Sequence, residues 1–376
     1  MKTIITFLLM VALFLVCQSP SYSQKSQKKG QSSPANPFAD QVKEHFKNWD
    51  KNNDGKINEA ESNLTITNKS VSGDQAAAIL GMHYLFIKSG NPKEFTKEEI
   101  LNRGSWKPTG NSGEFKGSDL LGAFASYSDK LKNINRKLFI GEPSPIGMHQ
   151  GMLGDCYLIS TIGALAKISP NKIKEMVKEK SEGSYDVHFA DKNFVTVNKL
   201  TDTEMIAGAS TDGQGCWLRV MESAFGKRKA MNSGNKTKGT KVGSANKADY
   251  DFAVGHGGTQ EEVINALTGH QPITLKLSKD LKQLVAIFGE AGKKITLASI
   301  YANKQVPPGF DTGHGYAILG YDKKTNKVKV WNPHGNEFNP IGPEGMKNGF
   351  IVKKGVMDVS VDDFAKVFDL VVYEKK

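Results

Sequence analysis

A switch in hydrophobic period constrains this chain most. Directly after Cys156, the residues Leu158, Ile159, Ile162, Leu165, Ala166 and Ile168 recur at helical spacing, which predicts a helix with one buried face. Pro170-Asn171 ends that run, and residues 172–180 read as a second helix. Further on, the apolar residues gather in short runs at 315–321, 328–331, 350–352 and 370–373, each bounded by turn formers, the pattern of strands. A helical half followed by a β half gives an α+β fold of two lobes.

The N-terminus carries a different signal. Met1-Lys2 precedes an apolar run over residues 3–16 and a small, polar stretch that includes Ser21 and Ser23. That is the layout of a secretory signal peptide at 1–23. Processing as a lipoprotein at Cys17 is the weaker reading, because Phe14-Leu15-Val16 offers no small residue before the cysteine. No other apolar run approaches the ~20 residues of a membrane helix, so an exported protein without a transmembrane segment is expected. Residues 24–37 are rich in Ser, Gln, Lys and Pro and predict a disordered linker. Residues 38–104 predict a small helical unit, 105–136 a connector, and 137–376 the two-lobed remainder. The net charge is +11, with scattered lysines. The basic stretch 227–247 lacks interleaved aromatics, so it reads as a solvated loop and nucleic acid is not an expected partner. Of three cysteines, Cys17 leaves with the signal. Cys156 and Cys216 remain in a compartment that permits a disulfide, so Cys156 is either half of a bridge or a nucleophile.

Residues 50–61, Asp50-Lys51-Asn52-Asn53-Asp54-Gly55-Lys56-Ile57-Asn58-Glu59-Ala60-Glu61, match the twelve-residue EF-hand loop. Asp50, Asn52 and Asp54 supply side-chain oxygens at positions 1, 3 and 5, and Gly55 allows the sharp turn. Lys56 offers its carbonyl, Asn58 ligates through water, and Glu61 binds bidentately, so Ca²⁺ is the expected ion. Phe46 and Trp49 suit the packed face of the entering helix. Residues 88–99 have a related outline, with Phe95 in the place of Ile57 and Glu99 in that of Glu61. Lys88, Gly90 and Pro92 there provide no side-chain oxygen. The second loop therefore reads as a metal-free structural partner or as coincidence.

The chemistry centres on Gln150-Gly151-Met152-Leu153-Gly154-Asp155-Cys156-Tyr157. A thiol attacks carbonyls as thiolate, and a helix N-terminus or a nearby imidazolium favours that form. Cys156 stands where the apolar helix begins, and Gln150 could donate its amide to a developing oxyanion. Among eight histidines, His314 opens a strand and is flanked by Gly313 and Gly315. A turn at 323–326 returns the chain along 328–333. With Tyr316 facing Asn332, His314 and Asn332 become diagonal neighbours on one face of a hairpin. A side-chain amide there can fix the imidazole's tautomer. The order Gln, Cys, His, Asn is that of a papain-like thiol protease.

These elements resemble the calpain-type cysteine proteases. Gln150–Tyr157 is similar to the family's Gln-Gly-x-x-Gly-Asp-Cys-Trp element. Residues 216–225 look like the next helix, and Gly257-Gly258 with Leu267-Thr268-Gly269 resembles a Gly-Gly…Leu-Thr-Gly stretch. Gly313-His314-Gly315-Tyr316 and Asn332-Pro333-His334-Gly335 are similar to Gly-His-x-Tyr and Asn-Pro-Trp-Gly, and 359–368 to the closing segment. The resemblance covers residues 137 onward. It implies a papain-like helical lobe and β lobe around a cleft, with Cys156 as nucleophile, His314 as base, Asn332 as orienter and Gln150 as oxyanion donor. Tyr157 replaces the family's Trp, and His334 replaces the Trp that shields the His–Asn contact. The acidic calcium loops of the family's protease core have no counterpart that aligns here.

The expectation is an exported cysteine endopeptidase acting on proteins or peptides, carrying Ca²⁺ at residues 50–61. One rival is a catalytically silent calcium-binding scaffold with Cys156 tied to Cys216. Another is a transglutaminase-like acyl transferase. The complete Gln/Cys/His/Asn order weighs against the first, and an amide orienter weighs weakly against the second.

Overall fold

A computed structural model describes residues 36–87, 92–104, 120–180, 183–192, 194–234, 255, 257–277 and 281–375. The signal peptide, nearly all of the linker, residues 88–91 of the second loop, 105–119 of the connector and most of the basic stretch lie outside the described residues.

The N-terminal unit opens with α1 (Pro37–Trp49), whose first residue is the last of the stretch that composition assigns to the linker. Pro37 begins the helix, and the Asn36 side chain caps it by accepting from the Ala39 N–H at 3.0 Å. Such a cap is worth ~1 kcal/mol. Phe38, Val42, Phe46 and Trp49 line one buried stripe, each full burial contributing ~1.5–3 kcal/mol. After the loop at 50–55 come β1 (Lys56–Asn58), α2 (Glu59–Ile66) and α3 (Gly73–Ile87). Then follow β2 (Glu94–Thr96), α4 (Lys97–Gly104) and α5 (Leu120–Lys132). The unit is not purely helical: β1 pairs antiparallel with β2, setting Ile57 against Phe95. Both side chains are fully buried. The connector also holds more than a link. Leu120 and Phe124 of α5 join the core of this unit beside Phe38, Ile79 and Phe95.

The helical lobe contains β3 (Met148–His149), α6 (Cys156–Ile168), α7 (Pro170–Met176) and a three-stranded meander. The meander is β4 (Val177–Glu179), β5 (Tyr185–His188) and β6 (Phe194–Val197), so the second helix stops at Met176 and the chain turns into a strand. Next come α8 (Asp202–Ala207), β7 (Ser210–Thr211), α9 (Trp217–Gly234) and α10 (Gln260–Thr268). Ile206 and Ala207 of α8 belong to the core of the N-terminal unit. The Gly73 N–H donates to Asp202 at 2.8 Å, and Thr203 donates to the Ile66 carbonyl.

The β lobe is one antiparallel sheet. Its strands are β8 (Gln271–Lys276), β9 (Thr296–Ile300), β10 (His314–Asp322), β11 (Lys327–Trp331), β12 (Val356–Ser360) and β13 (Leu370–Lys375). The spatial order is β12-β11-β10-β9-β13-β8. Alternation along β10 sends Ala317 and Leu319 into the core shared with α6 and α9. Tyr316 and Ile318 point into a second core with α11 (Leu281–Gly289) and α12 (Val361–Val367). The sheet is thus buried on both faces. The helix α6 lies hard against it: a Cβ on Gly163 would come 2.3 Å from the Trp331 ring. The run 350–352 is not a strand and makes only an isolated bridge, Val352 to Phe338. No described helix is long and apolar enough to cross a membrane.

Candidate active site

Cys156 is the first residue of α6, with Asp155 at the N-cap. The Asp155 carbonyl accepts from the Leu158 and Ile159 N–H groups at 2.8 and 3.1 Å, so the first turn is closed through the main chain. The Asp155 side chain is fully buried. Burial first, and the carboxylate of Glu222 second, hold its pKa well above the usual range. Below it Arg219 and Glu222 form a buried pair at 2.9 Å, and Glu222 also accepts the Ala209 N–H at 2.9 Å.

His314 opens β10 and meets Asn332 just past the end of β11. The ladder aligns Ala317 with Trp331, which sets Tyr316 opposite Asn332 as the sequence predicts. His314 Nε2 lies 2.9 Å from Asn332 Oδ1. Three neighbours fix the Asn332 amide. Its Nδ2 donates to Asp311 Oδ2 at 2.8 Å, its Oδ1 also accepts the His334 N–H at 3.0 Å, and its own N–H donates to the Gly355 carbonyl. With Oδ1 thus assigned, the ring proton of neutral His314 is on Nε2. Its basic lone pair is on Nδ1.

The two lobes meet at Cys156 and Gly315. The Gly315 N–H donates to the Cys156 thiol. A Cβ at Gly315 would press within 2.9 Å of Gln260, whose amide bridges Ser160 of α6 and the Ala298 carbonyl of β9. Burial is the largest influence on both reactive groups. It pushes the Cys156 thiol up, against the hydrogen bond from Gly315. It pulls His314 down to about 4, helped by the His334 imidazole. Burial thus favours the uncharged form of each group.

Gln150, just upstream of the cysteine, is held by main-chain groups of both lobes. Its N–H donates to the Pro333 carbonyl at 2.7 Å, and the Met152 N–H donates to the Ala207 carbonyl at 2.9 Å. The Gln150 side-chain amide donates to the Leu153 carbonyl at 2.7 Å, which leaves the second N–H of that nitrogen for another acceptor. Tyr157, the residue in the family's Trp position, stacks edge-on against Phe225, with the Lys229 ammonium 5.2 Å from its ring centre. Its ring fills the space a side chain at Gly258 would need. Cys216 is not bonded to Cys156; both are free thiols. The Cys216 sulfur contacts the Arg136 carbonyl at 3.4 Å.

Sequence reading missed Asp311. It accepts from Asn332 and lies 3.1 Å from His334 Nδ1. The His334 contact, first among several, holds its carboxyl down at about 2, so it is a carboxylate. The Tyr316 hydroxyl bonds to both its N–H and its carbonyl. His334 lies over His314 with ring centres 4.5 Å apart, covering the His–Asn contact with a polar ring where the family has an indole. The one available clue to Asp311 was that a buried amide oriented towards histidine needs an acceptor for its Nδ2.

The loop at 50–61 gathers oxygens locally. Asp50 accepts from the Asp54 and Gly55 N–H groups at 3.2 and 2.9 Å, with Gly55 at φ +84°. Glu61 accepts from Lys51 at 2.8 Å, Asn52 at 3.2 Å and Asn58 at 3.0 Å. Asn52 donates to Asp54 at 2.8 Å, and Asn58 accepts from the Glu61 N–H at 3.0 Å. Lys56 sends its ammonium to Glu94. Three carboxylates and amide oxygens on one tight turn are a donor set of the hard kind that calcium takes. In the second loop, Glu99 accepts from Thr96 N–H and hydroxyl at 2.8 Å.

A cysteine at a helix start, packed against the antiparallel strand that carries a histidine–amide pair, is the arrangement of a two-lobed α+β cysteine peptidase. Residues 128–342 match the family model described as calpain family cysteine protease, and the chain belongs to that family. No curated protein matches it.

Proposed function

We propose that the protein is an exported cysteine endopeptidase with Cys156 as nucleophile, His314 as general base, Asn332 as orienter and Gln150 as oxyanion donor. The observation that carries this is the 2.9 Å bond from His314 Nε2 to Asn332 Oδ1, on the strand whose next residue bonds the thiol at the N-terminus of α6. His314 Nδ1 takes the thiol proton as the sulfur attacks the peptide carbonyl, and the imidazolium then protonates the leaving amine. A water, deprotonated by the same nitrogen, releases the acyl group. The developing oxyanion draws on the α6 N-terminus and on the second N–H of the Gln150 amide, which is worth several kcal/mol when preorganised. Asn332 keeps the tautomer correct throughout.

In the same reading, Asp50, Asn52, Asp54, the Lys56 carbonyl, Asn58 and Glu61 hold one Ca²⁺ in an EF-hand, and the 88–99 loop supports it through Ile57 and Phe95 without binding metal. Calcium there would tighten the loop between α1 and α2. Incubating the mature protein with an unfolded protein substrate, beside Cys156→Ala, tests the peptidase reading. Equal cleavage by both would refute it.

A further inference from the structure

Asp311, His314 and His334 each offer one ligand atom, and the three atoms lie within 4.8 Å of one another. Asp311 Oδ2 and His334 Nδ1 are already 3.1 Å apart, close to the ~3.3 Å that two ligands subtend on a tetrahedral ion with bonds of ~2.0–2.1 Å. The two imidazoles lie one over the other, with ring centres 4.5 Å apart and planes inclined at 31°. His314 is buried and His334 exposed, so an ion can arrive from the solvent side. The Asn332 amide holds the carboxylate at 2.8 Å, the kind of outer contact that orients metal ligands.

We propose that Asp311, His314 and His334 form a binding site for a divalent transition-metal ion of the zinc type, and that filling it switches the peptidase off. Two imidazole nitrogens and one carboxylate suit zinc rather than calcium, leaving a fourth position for water. The inhibition follows from the single basic lone pair of a neutral imidazole. Metal at Nδ1 occupies the lone pair that must accept the thiol proton. Metal at Nε2 displaces Asn332 and puts the ring proton on Nδ1, with the same result. The inhibitory consequence rests on His314 being the base; the binding site itself does not.

The test separates the two. In the full mature chain carrying Cys156→Ser, with excess Ca²⁺ to fill the 50–61 loop, calorimetry with Zn²⁺ should find one equivalent bound. His334→Ala and Asp311→Asn should each weaken it at least ~tenfold. His334 is exposed and Asp311→Asn nearly isosteric, and near-ultraviolet circular dichroism checks that both variants fold. Co²⁺ added to the wild-type chain should give tetrahedral visible bands without a thiolate charge-transfer band. Zn²⁺ should inhibit wild-type peptide hydrolysis, and His334→Ala should need at least ~tenfold more. No binding to the Cys156→Ser chain, binding that neither variant changes, a cobalt–thiolate band, or full activity at zinc saturation would each overturn the proposal.

Discussion

The loop at 50–61 and the Asp311–His314–Asn332–His334 cluster both gather polar groups around a point, by opposite means. The loop does it with twelve consecutive residues, whose own backbone N–H groups aim Asp50 and Glu61. The cluster is assembled from the start of one strand, the end of the next and a loop before both, and it holds only while Ala317 pairs with Trp331. A local site carries its geometry in its spacing. An assembled site borrows it from a sheet register, in which a one-residue slip would turn every side chain to the other face.

The largest predicted effect tests whether the assembled site is one unit. Cys156→Ala and His314→Ala should each lower kcat/KM by at least ~10⁴-fold, measured on one peptide, with calcium affinity unaltered. Appreciable turnover in His314→Ala would break the assignment of the base. Asp311→Ala should come next, lowering kcat by ~10–100-fold through loss of Asn332 orientation while KM stays nearly fixed. A change in KM alone would place Asp311 in substrate binding instead.

The local site should respond by itself. Glu61→Gln removes a charged ligand and should weaken Ca²⁺ binding by more than ~tenfold, whereas Glu99→Gln should alter it less than about twofold. Calorimetry on the full chain decides, and two equal sites would contradict a metal-free second loop. The smallest effect is in pH. The proposed base, His314, would act only when neutral, and its pKa is lowered to about 4, so the acid limb of kcat/KM should fall as pH drops through about 4. The charge of His334 contributes to that lowering. His334→Trp should therefore raise the His314 pKa and move the limb to higher pH, by less than about one unit, in buffer with chelator. A limb that stays still would show that burial alone sets it.

What sequence made legible follows the same division. The helix starting at Cys156 was readable because period is a local property. The related outlines of the loops at 50–61 and 88–99, by contrast, left open whether the two meet, and the pairing of Ile57 with Phe95 came only with the structure. The His314–Asn332 face was readable in outline from two strands joined by a short turn, but the β-bulge between Ile318 and Gly320 was not. The turn pairs Asp322 with Lys327, a register that would set Asn332 opposite Ala317, and the one-residue shift brings it opposite Tyr316. Asp311 was not legible, since nothing in its spacing announces contact with a residue 21 positions away. The engagement of the Gln150 amide with Leu153 depends on how a Gly-rich loop settles, which no periodicity records. The meander at 177–197 was hidden because its strands are three or four residues long, too short to show alternation. The run 350–352 misled for the converse reason: it is apolar and β-rich, yet Gly349 at φ +84° and its neighbours bend it out of the sheet.

The shared core of Ile206, Ala207 and the N-terminal helices has a consequence for processing. A protease cut between α4 and α5 would sever the chain but not the particle. The fragments would separate on a denaturing gel and still travel together through a sizing column, joined by buried side chains and by the bonds from Gly73 to Asp202 and Thr203 to Ile66. Expressing residues 137–376 alone would strip that cover from Ile206 and Ala207, and the isolated lobes should associate more readily than the full chain.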